Sequence, residues 1–163
     1  MSSRKVAFTH LSRLDHVWIE PPIYFVTTCV LGRRALLANE TAAKILREQF
    51  AEAPRRYGWR VGRYVIMPDH VHFFCAPGDL RQAASLSTFV GGVKMWSSCS
   101  ILAATGHSSP LWQREFFDHL LRSDESYRGK WSYVRENPVR AELVETAEAW
   151  PFAGEVDALP FDG

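Results

Sequence analysis

The chain has 163 residues, 47% apolar and 23% charged, the make-up of one globular domain able to bury a core, which excludes a disordered or fibrous chain. No apolar run approaches the roughly 20 residues of a membrane span, the N-terminus lacks a signal-peptide core, and three cysteines without C-x-x-C spacing exclude a disulfide framework and a structural zinc site. The formal charge of +1 conceals an asymmetry: residues 141–163 carry six acids and no base, so the first 140 hold 19 basic against 12 acidic side chains, a net +7 suited to a polyanion.

Residues 1–20 begin basic (Arg4, Lys5, Arg13) and show no clean period. Ile23 to Leu31 is rich in aromatic and β-branched residues and predicts a strand, after which Gly32, Arg33 and Arg34 turn the chain. Asn39 is placed to cap a helix from about Glu40 to Ala53, with Ala42, Ile45, Leu46, Phe50 and Ala53 as its apolar stripe and Pro54 as its stop. Trp59 to Met67 and His70 to about Ala76 predict a hairpin turning at Pro68 and Asp69. Asp79 is placed to cap a second helix carrying Ala83, Leu86, Phe89 or Val90, Val93 and Trp96 on one side. Gly91 and Gly92 in its middle each cost about 1 kcal/mol relative to Ala, so either that helix is weakened or something packs close. Leu111 to Leu121 contains a fourth strand, Ser123 caps a third helix with Asp124 and Glu125 in its first turn, and Pro138 closes it. Trp150, Pro151 and Phe152 read as a tail docking an aromatic plug on the body.

This order predicts an α+β domain. It is a ferredoxin-like βαββαβ antiparallel sheet with helices on one face and an added C-terminal helix, the core spanning about 22–140 and an acidic tail 141–163.

The chemistry concentrates in Met67 to Phe74 (MPDHVHFF). Side chains alternate along a strand, so His70 and His72 share one face while Val71 and Phe73 anchor the other. Two imidazoles on a rigid strand can hold a divalent ion, or can simply be a satisfied polar pair. On the added helix, Tyr133 and Asn137 are four residues apart and share a face, whereas Tyr127 is rotated away. If Tyr133 approaches the histidines, Asn137 does too, and its amide oxygen can complete a ligand set suited to Mn²⁺ or Mg²⁺. An unassisted tyrosine ionises near pH 10 and needs a Lewis acid to attack a phosphodiester. The competing expectation for Tyr133 is a core position beside Trp131.

MPDHVHFF, WQREFFDHLLR (112–122) and YVRENPVRAELV (133–144), in this order and spacing, resemble the HUH single-tyrosine transposases, and among them the REP-associated tyrosine transposases. The resemblance runs from about Tyr24 to Phe152. It implies a nuclease fold that binds single-stranded DNA, often a hairpin, and cleaves and rejoins it through a phosphotyrosine intermediate with Mg or Mn. By position, His70 and His72 match the metal-binding histidine pair, Tyr133 the catalytic tyrosine, and Asn137 the third metal ligand, a position where insertion-sequence relatives usually carry Gln. Asp69 stands where Asn or Glu is usual, at a turn that Asp serves equally well.

For DNA contacts the sequence offers Lys94 and Arg114 to phosphates and Trp112 or Phe116 to an unpaired base, with His119 either lining the site or holding a structural hydrogen bond. The REP-associated branch points to a monomer, the insertion-sequence relatives to a homodimer. A cytoplasmic, nucleoid-associated location is expected. The alternative reading is a domesticated single-stranded DNA or hairpin binder that no longer cuts.

Overall fold

Alternation along one strand divides the molecule into two layers. In the computed structural model, which describes residues 22–160, Val71, Phe73 and Cys75 point into a core beneath two long helices, while Phe74 and Ala76 point into a second core on the opposite face. The elements are β1 (Ile23–Cys29), α1 (Glu40–Tyr57), β2 (Trp59–Ile66), β3 (His70–Pro77), α2 (Leu86–Thr105), β4 (Phe117–Leu121), α3 (Asp124–Arg135), the one-turn α4 (Asn137–Arg140) and β5 (Ala153–Glu155). All strand pairs are antiparallel, in the order β4-β1-β3-β2-β5. The first four reproduce the ferredoxin-like arrangement expected from the sequence.

Helices α1 and α2 cover one face through Phe50, Phe89 and Val93. The Phe50 ring lies 4.9 Å from that of Phe73, and Trp59 stacks on Phe89 at 5.3 Å. The added helix α3 lies on the other face. Tyr127, Trp131 and Val134, at helical spacing, meet Phe74, Val65 and Met67.

Four local expectations change. Pro54 lies inside α1, which runs on to Tyr57 and closes at Gly58 in the left-handed conformation, φ 73°, with its N–H on the carbonyls of Ala53 and Pro54. The extra turn is held by α2, where Tyr57 meets Phe89 and the Arg56 guanidinium lies 4.7 Å from the Trp96 ring centre; Trp96 is thus a surface residue. Asp79 closes a turn, accepting from the Arg81 N–H at 2.8 Å, and Ser85 caps α2 through Thr88 N–H. Pro138 does not end the helical region. α3 stops at Arg135, and Pro138, which has no N–H to lose, sits in the first turn of α4.

The fourth change is the tail. Trp150 does dock, its Nε1–H donating to the Ile66 carbonyl at 2.9 Å, and Phe152 packs on the core. The following three residues, however, form a fifth strand along the outer edge of β2, with Gly154 opposite Tyr64. Leu159 is buried against the site of Gly62. Among the described residues no helix is long and apolar enough to cross a membrane.

Candidate active site

His70 and His72 stand on the face of the sheet that α3 covers, their rings 4.7 Å apart and nearly perpendicular. Each has its Nδ1 engaged. His70 Nδ1 lies 2.7 Å from Asp69 Oδ1, and since a carboxylate only accepts, this bond fixes a proton on Nδ1 and makes Nε2 the nitrogen left for a ligand. Arg33 Nε donates to the other Asp69 oxygen at 2.8 Å and its Nη1 reaches Cys29 Sγ at 3.1 Å. Burial raises the Asp69 pKa, but the hydrogen bonds from His70 and Arg33 outweigh it and hold the carboxyl below its ordinary range. Asp69 therefore does more than turn the chain.

His72 Nδ1 lies 2.7 Å from Thr27 Oγ1 on β1, and its ring stacks on Phe25 at 5.2 Å. With Thr27 accepting, Nε2 of His72 keeps its lone pair. Burial, reinforced by the charges of His70, Lys130, Arg140 and Arg33, lowers the His72 pKa to about 3. A neutral imidazole with a fixed Nδ1 is the form that ligates a metal, so this pair fits a divalent ion. Among the described residues no three His, Cys, Asp or Glu side chains cluster as a metal site.

The two tyrosines of α3 part company. Tyr127 is fully buried with its ring against Phe74, whereas Tyr133 is 63% exposed rather than packed in the core beside Trp131. Lys130, one turn before Tyr133, places its ammonium 4.9 Å from the Phe25 ring, the same ring that stacks on His72. Arg140 connects the nucleophile candidate to Asn137. Its guanidinium lies 3.8 Å from the Tyr133 ring centre, and its Nη2–H donates to the Tyr133 carbonyl at 2.6 Å and to Asn137 Oδ1. The charges of Lys130 and Arg140, which flank Tyr133, both act on His72. The Asn137 oxygen is thus held by Arg140 in this state.

The residues read as DNA contacts are placed differently from one another. Lys94 turns its ammonium onto the carbonyls of Gln113, Arg114 and Glu115 at 2.6, 3.0 and 3.4 Å, tying α2 to the segment before β4. Trp112 is buried, with Nε1–H donating to Ser97 Oγ at 3.0 Å. Phe116 packs partly against the core. Arg114 is exposed and lines a cleft with Ser87, Gly91 and Glu115. His119 is exposed on β4, opposite Phe25 in register, and lines a shallow cavity with Leu120, Arg122 and Ser126. Phe117, 70% exposed, stands opposite Thr27 on the histidine face.

Thr27, Arg33, Lys130 and Arg140 were not legible as site residues. Arg140 had a local signal, three residues after Asn137 in NPVR, but Thr27 depends on a strand register that the sequence does not spell out.

Known proteins resemble this chain in sequence and in fold. Residues 22–135 match the family described as "Transposase IS200 like". A REP-associated tyrosine transposase of Escherichia coli (strain K12) is 24% identical over 151 residues, covering 88% of this chain and 82% of that protein. Among solved structures, that of a REP-associated tyrosine transposase bound to a REP hairpin shares the fold, with a TM-score of 0.67, 24% identity, and coverage of 82% of this chain and 76% of that one. The chain belongs to the IS200-like transposase family.

Proposed function

We propose that this transposase-family chain cleaves and rejoins single-stranded DNA with Tyr133 as nucleophile and a divalent ion, Mg²⁺ or Mn²⁺, held by His70, His72 and Asn137. The observation that carries the reading is the pairing of two histidines with engaged Nδ1 atoms and an exposed tyrosine whose neighbours Lys130 and Arg140 act electrostatically on His72. The solved relative bound to a REP hairpin supports a hairpin-forming DNA as substrate.

Tyr133 Oη attacks phosphorus, and one phosphodiester bond is exchanged for another. The Oη–P bond forms, the P–O bond to one deoxyribose breaks, the phenolic proton passes to water, and the departing sugar oxygen leaves as a hydroxyl. The phosphotyrosine linkage keeps the bond energy, so a strand hydroxyl can reverse the step and join DNA. The chemistry a bound ion supplies is Lewis-acid polarisation of a non-bridging phosphate oxygen. His72 stays neutral, and Asp69 and Thr27 orient the two rings for that task. The exposure of Tyr133 lets a bulky strand reach its hydroxyl. Because Arg140 joins Tyr133 to the His72 neighbourhood within one chain, the site is read as complete in a monomer.

The test is covalent trapping. The protein with Mn²⁺ or Mg²⁺ and labelled hairpin oligonucleotides is run on a denaturing gel beside Tyr133→Phe. A labelled protein band that requires metal and vanishes in the variant is expected. A band that persists in Tyr133→Phe moves the nucleophile elsewhere, and tight binding without any band favours a binder that no longer cuts.

A further inference from the structure

Several described arginines meet carboxylates. Arg33 meets Asp69, Arg63 meets Glu155, Arg128 meets Asp124 and Arg135 meets Glu148. Arg140, like Arg34, does not. No described carboxylate lies within ion-pair distance of it; its polar partners are the neutral oxygens of the Tyr133 backbone and the Asn137 side chain. Its guanidinium rests on the face of the ring whose hydroxyl is the proposed nucleophile.

A planar guanidinium with several donors and no counter-ion matches the non-bridging oxygens of a phosphodiester. An anionic phosphate oxygen also accepts a stronger hydrogen bond than a neutral amide does. From this, and resting on the reading of Tyr133 as nucleophile, we infer that Arg140 is a catalytic residue that binds the scissile phosphate of the DNA, moving its Nη2 from Asn137 Oδ1 to a non-bridging oxygen. The position suits the task, because this guanidinium rests against the ring that carries the proposed nucleophile. Arg140 exchanges no proton and forms no covalent bond; it neutralises charge on the phosphoryl group while Oη–P forms and the sugar oxygen departs. The same movement releases Asn137 Oδ1, so that substrate arrival and completion of the ligand set become one event. A guanidinium serving only to stabilise the bend between α3 and α4 would keep its two neutral partners and ignore the charge of the DNA.

The experiment uses an oligonucleotide whose cleavage position has been mapped with the wild-type protein, made with either the natural phosphodiester or a charge-neutral methylphosphonate at that linkage. In the non-cleaving Tyr133→Phe background with EDTA present, so that no metal contributes, the phosphodiester is expected to bind roughly tenfold or more tightly than the methylphosphonate. Adding Arg140→Ala abolishes that preference, and Arg140→Lys in the same background restores part of it, which shows that the fold is intact. With Tyr133 present, Arg140→Ala slows adduct formation on the phosphodiester by about 10²-fold. A preference for the phosphodiester that survives Arg140→Ala overturns the assignment. Failure of the wild-type protein to form any adduct is a separate result, which removes the nucleophile reading itself.

Discussion

Thr27 Oγ1 and His72 Nδ1, 2.7 Å apart on directly opposed residues of β1 and β3, tie the deepest imidazole of the site to the neighbouring strand. Thr27→Val preserves shape but leaves the buried nitrogen without a partner. It is expected to cost about 1–3 kcal/mol of stability and to weaken Mn²⁺ binding by about 10–100-fold. Thermal melts and calorimetric titration of the variant with Mn²⁺ check both. Unchanged metal affinity would remove Thr27 from the site.

Tyr127 and Tyr133 should separate stability from activity. Tyr127→Ala empties a fully buried aromatic site against Phe74 and is expected to destabilise by about 3–5 kcal/mol. Tyr133→Phe keeps the ring beneath Arg140 at an exposed position, so stability should stay within about 0.5 kcal/mol while the covalent adduct disappears. Denaturant titration beside the trapping gel reads the two effects independently.

Two adjacent glycines of α2 predict opposite signs. Gly91 is exposed, with nothing within 4 Å of where a Cβ would stand, so Gly91→Ala should stabilise by about 0.5–1 kcal/mol through helix propensity. A Cβ on Gly92 collides with the Tyr57 ring and hydroxyl, so Gly92→Ala must push Tyr57 off Phe89 and is expected to destabilise by about 1–3 kcal/mol. Chemical denaturation of both variants decides it.

Lys94 and Arg114 should differ in kind. Lys94→Met withdraws a donor from three carbonyls ahead of β4 and is expected to cost about 1–3 kcal/mol of stability with the salt dependence of DNA binding unchanged. Arg114→Ala, at an exposed cleft residue, should leave stability nearly intact and reduce the salt slope by about 1. Binding isotherms at several salt concentrations distinguish them.

The sequence was most readable where periodicity is short and strong. The β2–β3 hairpin, the shared face of His70 and His72, and the rotation of Tyr127 away from Tyr133 all follow from strand alternation or helical spacing. It was least readable where partners are distant or the signal is weak. An Ala-Gly-Glu strand in an acidic tail has no β-branched residue to announce it, yet pairs with β2 because that edge would otherwise stand open. Lys94 and Trp112 have the right residue types for DNA, but composition does not say which way a side chain turns. The Asp79 and Ser85 caps compete within one short segment, and only Ser85 is followed by an uninterrupted helix.

The strand that seals the outer edge of β2 is made after the four strands it completes. From the completion of β2 until β5 emerges, roughly ten seconds pass at synthesis rates of about 5–20 residues/s. During that interval, while β3 and β4 are added, the outer hydrogen-bonding edge of β2 stays open, and the growing protein is most at risk of pairing with a stranger.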